Sequence, residues 1–192
     1  MEIHPKQVTG FWDDGYVLDA HTISSTMIGY NEFGYAEFDT VRSELGELVY
    51  RLKYKGDRGV IPTITETVTE FVRNWGIQPT VVVPVPPSKT HVFQPVIEIA
   101  TAIANTLKVP LDATSLKKIK NTAQMKDVGD LNARLAALQS AFASGKDLEG
   151  GSVLLFDDLF QSGATMNVVT QTIRKQGLAK AVYAIALTRT RN

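Results

Sequence analysis

Two aspartates stand side by side at the end of an apolar run. Val153-Leu154-Leu155-Phe156 leads into Asp157-Asp158, and Gln161-Ser162-Gly163-Ala164-Thr165 follows after two residues. Ionised carboxylates only accept hydrogen bonds, and an adjacent pair suits two neighbouring hydroxyls. A small-residue turn opening a helix offers successive backbone N–H groups to an anion. Ser162 and Thr165 would add hydroxyl donors, and Gly163 lets the backbone come close to phosphate oxygens. A ligand with a phosphate at one end and a vicinal diol a few ångström away fits both halves. A ribose 5-phosphate is such a ligand. Helix capping, the plainer reading, would account for one acid but leaves the pair and the turn unconnected.

Competing chemistries lack their partners. An apolar run ending in Asp-Asp is also found on the magnesium strand of nucleoside triphosphatases, but no G-x-x-x-x-G-K-[ST] loop accompanies it. The dinucleotide fingerprint G-x-G-x-x-G is missing as well. His4, His21 and His91 are isolated, which argues against a zinc hydrolase. A magnesium phosphatase built on Asp157 would need an Asp-x-Asp pattern. The sequence has no cysteine, so disulfides, thiolate metal sites and cysteine nucleophiles are excluded.

The elements that must position these residues are legible in the apolar spacing. Leu45, Leu48, Val49 and Leu52 have helical period, as do Ile64, Val68, Phe71, Val72 and Trp75. Val96, Ala100, Ile103 and Leu107 predict another helix, Leu131, Leu135, Leu138 and Phe142 a further one, and residues 163–176 the helix after the turn. Strands are expected at 81–83, 152–156 and 181–187, with shorter ones near 109–111 and 115–119. The longer strands are apolar throughout, as strands buried on both faces of a parallel sheet are. Residues 8–40 alternate, and Asp14-Gly15 between Phe11-Trp12 and Tyr16-Val17 reads as a hairpin turn. The expected fold is therefore α/β, a Rossmann-like central parallel sheet flanked by helices, preceded by a small N-terminal antiparallel β unit. Residues 1–40 would be an extension or hood, and 41–192 the α/β domain. Ligands in such sheets bind beyond the carboxyl ends of the strands.

The 192 residues contain 44% hydrophobic side chains, enough for a packed core. Twenty basic and twenty acidic residues give zero net charge, so nothing global attracts nucleic acid or an anionic membrane. The start, MEIHPKQVTG, has no apolar signal region, and no run approaches the ~18 apolar residues of a membrane span. A cytoplasmic protein with no membrane contact is expected.

The stretch Val153–Thr165 resembles the phosphoribosyl-pyrophosphate signature of type I phosphoribosyltransferases, with Gln161-Ser162 where a Thr-Thr pair is common. Pro84-Val85-Pro86-Pro87-Ser88-Lys89, Thr122-Ala123-Gln124, Asn132-Ala133-Arg134 and Leu52-Lys53-Tyr54-Lys55-Gly56-Asp57 extend the likeness to the ComF-like branch over residues 44–190. That branch often begins with a four-cysteine zinc module, which this chain lacks. An Arg-Gly-rich phrase usual after the pyrophosphate loop is here Thr90–Pro95. The resemblance implies a transferase of the glycosyltransferase class, acting in nucleotide metabolism on phosphoribosyl pyrophosphate with Mg²⁺. Pyrophosphate would leave from the sugar, and a nitrogen nucleophile of unknown identity would take its place. Asp157 and Asp158 would hold the ribose hydroxyls and reach Mg²⁺ mostly through ligand and water. Gln161, Ser162, Gly163, Ala164 and Thr165 would hold the 5-phosphate, and Ser88 and Lys89 the pyrophosphate. Lys118 and Arg134 belong to a basic segment, 117–134, expected to close as a lid. Asp157, Asp158 and Lys89 form the catalytic set. A homodimer is a further expectation of the family.

Three more groups carry two readings each. Lys53 and Lys55, with Arg51 and Arg58, are ordinary cations near a helix end, or they contact a ligand phosphate or an acidic partner. His21 and Trp12 are β-sheet packing or the lining of a base-binding hood. An alternative to the enzyme is a non-catalytic ComF-type module that binds the nucleotide ligand or handles single-stranded DNA, with 51–58 and 117–126 as a weak electrostatic track.

Overall fold

The structure is a computed structural model. It describes residues 1–87, 93–114, 150–175 and 179–190, together with two short strands at Lys117–Lys118 and Phe142–Ala143. The strands are β1 (Lys6–Gln7), β2 (Asp14–Ala20), β3 (Ser24–Tyr30), β4 (Ala36–Val41), β5 (Val81–Pro84), β6 (Lys117–Lys118), β7 (Phe142–Ala143), β8 (Gly151–Phe160) and β9 (Ala179–Arg189). The helices are α1 (Glu44–Lys55), α2 (Ile61–Trp75), α3 (Pro95–Leu107) and α4 (Ala164–Lys175), with a 3₁₀ turn at Arg58–Val60.

The central sheet has the order β1-β2-β9-β8-β5. Strands β2, β9, β8 and β5 are parallel, and β1 closes one edge in the antiparallel sense. Leu45, Leu52, Ile64, Val68, Ile99 and Ile103 of α1–α3 pack on Leu154, Phe156, Ile185 and Leu187. On the other face Val168, Val169 and Ile173 of α4, with Trp12, pack on Val153, Leu155, Val182 and Ala184. Each such buried side chain contributes about 1.5–3 kcal/mol. Strand alternation therefore sends the even positions of β8 toward α1–α3 and the odd positions toward α4. The expected α/β architecture is the one found.

The N-terminal region differs from the expected single antiparallel unit. Strand β2 belongs to the central sheet, parallel to β9. The separate antiparallel unit is only the β3–β4 hairpin, turned by Asn31, whose side-chain oxygen accepts from the Phe33 and Tyr35 amides, and by Gly34 at φ 77°. Asp14-Gly15 is not a turn but the start of β2. Asp14 accepts from Gln7 and from the Trp75 indole, and a Cβ at position 15 would lie 2.5 Å from the Trp12 indole nitrogen. The glycine answers a close approach rather than a reversal. The hairpin leaves Ile28, Tyr30, Phe33, Tyr35 and Phe38 exposed.

Residues 109–111 form only a single bridge, Leu111 to Val82, because the chain touches the edge of β5 and leaves it. The 115–119 strand shortens to β6, which pairs antiparallel with β7. Phe142, expected on a helix, lies in β7, where backbone pairing to Lys118 overrides its helical spacing. The rest of the 131–142 helix and most of the 117–134 lid lie outside the described residues. Among the described residues no helix is long and apolar enough to cross a membrane.

Candidate functional site

The site is built at the carboxyl end of β8. Its strand pairing continues to Phe160 opposite Arg189, and the Thr190 amide donates to the Phe160 carbonyl at 3.1 Å. The chain then turns through Gln161-Ser162-Gly163, and α4 begins at Ala164. Gly163 has φ 68°, and a Cβ there would lie 2.8 Å from the Phe160 ring, so only glycine makes this turn without displacing the ring. Its carbonyl accepts from the Asn167 amide at 2.8 Å, which starts the helix. Asn167 in turn accepts from the Phe11 amide at 2.8 Å and ties loop 8–13 to α4.

A cleft of about 140 Å³ lies in this turn, lined by Asp157, Leu159 and residues 160–166. It joins five expected phosphate-binding residues, Gln161, Ser162, Gly163, Ala164 and Thr165, to one of the two expected hydroxyl acceptors. The α4 N-terminus gives the cleft a positive potential, which suits a phosphate group.

Asp157 and Asp158 face different surroundings. Asp157, an odd position, is on the α4 side and lines the cleft. Its Oδ1 accepts from the Asp158 amide at 2.8 Å. Burial, reinforced by the neighbouring Asp158 charge, pushes its carboxyl up to about 7. Asp158, an even position, is buried toward α1, where its Oδ2 lies 2.8 Å from the Lys53 ammonium. Its carbonyl accepts from the Thr188 hydroxyl at 3.2 Å, and that hydroxyl meets His21 Nδ1 at 3.1 Å. Burial, with Lys53 and Arg42 close by, holds the His21 imidazole below its ordinary range, so the ring is uncharged at neutral pH.

Helix α1 is hung from the end of β2. The Ser43 hydroxyl accepts from the Gly46 amide at 2.9 Å and donates to the Ala20 carbonyl. A side chain at position 46 would meet the His21 carbonyl at 2.3 Å. At the other end Gly56 stops the helix at φ 66°. Beside the N-terminal end of α1, a second cavity of about 560 Å³ opens along the same carboxyl edge, lined among others by Asp19, Ala20, Arg42, Ser43 and Arg189. The register Ala20, Arg189, Phe160 places it two strands from the turn.

The described residues thus bring Asp157 and residues 161–165 into one cleft, while Asp158 is turned toward α1 and Lys53. Ser88, Lys89 and Arg134 lie outside the described residues, as does the Lys118 side chain, and only the backbone of Lys118 is placed, in β6. Trp12 is not a hood residue. It is buried, donates to the Val8 carbonyl at 2.9 Å and packs within 3.5 Å of where a Gly163 side chain would be. The cations at 51–58 do not form a free basic track. Arg51 pairs with Asp57, Lys53 with Asp158 and Arg58 with Glu98. Phe160 escaped the sequence reading, although an aromatic immediately before a Gly-containing turn is the kind of signal that could have found it.

The donor set suits a divalent cation held largely by its ligand. Among the described residues no three acidic or histidine side chains gather as an all-protein metal cage. Mg²⁺ commonly takes one or two carboxylates and completes its shell with water and substrate phosphates, and Asp157 and Asp158 fit that pattern.

No family model matches the chain, and no curated protein matches it in sequence. Solved structures do. Adenine phosphoribosyltransferase from Leishmania tarentolae is similar over 97% of this chain and 94% of its own, at 11% identity and a TM-score of 0.50. Glutamine phosphoribosylpyrophosphate amidotransferase from B. subtilis, complexed with ADP and GMP, is similar over 81% of this chain at 18% identity, also with a TM-score of 0.50. The match covers 34% of that enzyme. What is shared at these identities is the fold, a parallel sheet with helices on both faces.

Proposed function

We propose that the chain is a phosphoribosyltransferase. It binds phosphoribosyl pyrophosphate with Mg²⁺ and transfers the phosphoribosyl group to a nitrogen nucleophile. The observation that carries this reading is a cleft in which a half-buried carboxylate, Asp157, meets a turn at a helix N-terminus suited to an anion. The neighbours' fold supports it, as does the Val153–Thr165 signature. The ComF-like reading rests on the Pro84–Lys89, Thr122–Gln124, Asn132–Arg134 and Leu52–Asp57 phrases together.

In this mechanism the 161–165 turn holds the 5-phosphate and fixes the sugar. Asp157 and Asp158 accept the ribose hydroxyls and thereby aim C1. The C1–oxygen bond to pyrophosphate breaks, the C1–nitrogen bond forms, and the nucleophile's proton goes to solvent. No oxidant or reductant is needed. The chain's contribution is orientation and charge placement rather than covalent catalysis. Mg²⁺, when bound, offsets the charge of the leaving pyrophosphate. Ser88, Lys89, Lys118 and Arg134 are the residues proposed to add donors and positive charge around that group. The 560 Å³ cavity, lined by Ala20, Arg42 and Arg189 among others, is the proposed entry for the acceptor.

Calorimetry with phosphoribosyl pyrophosphate and Mg²⁺ tests the reading, together with pyrophosphate release across a panel of nitrogen bases and amines. Saturable binding with release is expected. Binding without release for any acceptor would mark a non-catalytic module, and no binding at millimolar ligand would overturn the proposal.

A further inference from the structure

The phrase Leu52-Lys53-Tyr54-Lys55-Gly56-Asp57 has no role in the mechanism above, yet Lys53, Gly56 and Asp57 each have a defined place. Lys53 reaches from α1 across to β8 and meets Asp158 Oδ2 at 2.8 Å, with the lysine about a quarter exposed and the carboxylate nearly buried. Gly56 takes the left-handed conformation that ends α1, and its surroundings leave open space where a side chain would be, so backbone conformation alone selects glycine. Asp57 accepts from the Gly59 amide at 3.0 Å and pairs with Arg51, which folds the next turn back on the helix. At the other end, Ser43 fixes α1 to β2. The helix is held at both ends, and the register of Lys53 against Asp158 is fixed as a result.

One ammonium thus serves two adjacent carboxylates, and it bonds only one of them. Among the described residues Lys53 holds Asp158 through Oδ2, and Asp158 Oδ1 makes no hydrogen bond there. We propose that Lys53 is a positioning residue for the ribose diol: by holding Oδ2 it orients Asp158 so that Oδ1 accepts a sugar hydroxyl. This rests on the ribose-phosphate reading of the site. Lys53 needs no contact with the ligand, and the phrase that contains it is the device that delivers it.

The test separates the two halves of the ligand. Inorganic phosphate probes the 161–165 turn alone, and ribose 5-phosphate probes turn and diol together. Calorimetry on the full chain is expected to show tighter binding of ribose 5-phosphate than of phosphate. In Lys53→Met that preference is expected to shrink about tenfold, near 1.4 kcal/mol, with phosphate affinity unchanged. Lys53→Arg is expected to retain most of the preference. An unchanged preference in Lys53→Met would overturn the proposal, and so would an equal loss for both probes, which marks general damage to the site. If the native chain itself shows no preference for ribose 5-phosphate, the ribose-phosphate reading fails first. A thermal-unfolding cycle of Lys53→Met, Asp158→Asn and the double variant needs no ligand. Non-additive losses are expected, and strict additivity would remove the ion pair on which the inference stands.

Discussion

Asp157 and Asp158 are neighbours of identical chemistry, and the fold makes them different. Alternation along β8 turns Asp157 toward α4 and the 161–165 cleft, where no cation among the described residues bonds it. The same alternation turns Asp158 toward α1 and into the grip of Lys53. One carboxyl is pushed up to about 7 by burial and by its neighbour's charge, and the other has a resident counter-ion. An acidic pair on a strand is therefore two sites, one on each face of the sheet, that rejoin only beyond its edge. Environment, rather than residue type, sets the role of each.

The largest effect that would sharpen this contrast comes from removing both acids. Asp157→Asn with Asp158→Asn is expected to weaken phosphoribosyl pyrophosphate binding on the order of 100-fold, read by calorimetry, while inorganic phosphate still binds. Next is the pH dependence of stability. Because the folded-state value of Asp157 is raised above 3.8, the native chain keeps a proton that the unfolded chain releases. That contribution is full below the unfolded value and is lost as pH climbs toward about 7. Urea unfolding should show stability falling across this window by up to about 1.4 kcal/mol per pH unit from this group. Asp157→Asn should flatten that slope, whereas Asp158→Asn, which removes the lesser of the two causes of the rise, should only end it at a lower pH.

A smaller effect separates the singles at pH 8. Asp157→Asn is expected to raise the unfolding temperature, since it replaces a desolvated charge with a neutral amide. Asp158→Asn is expected to lower it by about 1 kcal/mol equivalent, since Lys53 is left facing an amide at a partly exposed site. Equal shifts in the same direction would erase the contrast. The smallest expected effect is at Lys55, two residues from Lys53 and exposed, its ammonium 5.9 Å from the Tyr50 ring centre. Lys55→Ala should change stability by less than about 0.5 kcal/mol and leave ligand binding alone.

What could be read in advance followed the strength of local signals. Helices α1 to α4 showed in their apolar period because each buries one face on the sheet. Strands β5, β8 and β9 showed as continuous apolar runs because both of their faces are covered. The turn from β8 into α4 was legible because Gly163 and its hydroxyl neighbours are a local pattern. Long-range choices were not legible. Nothing local to Asp14-Gly15 announces that β2 pairs with β9, some 170 residues later, instead of folding on itself. The Lys53–Asp158 pair likewise spans most of the chain. The phrase around Lys53 was visible, but neither of its readings, an ordinary helix-end cation or a contact with ligand phosphate or an acidic partner, named Asp158; only packing of α1 on the sheet brings the two together.

Trp12, filed under packing, has an optical consequence. The chain contains two tryptophans, and they occupy unlike places. Trp75 sits among Tyr16, Phe71 and Tyr183, bonded to Asp14 at the far end of β2. Trp12 packs against Gly163, beneath the turn that leads into α4. A ligand that tightens this turn changes the environment of one indole and leaves the other alone. In a Trp75→Phe background, Trp12 emission therefore becomes a built-in gauge of the cleft, reporting occupancy without a label and before any acceptor has been identified.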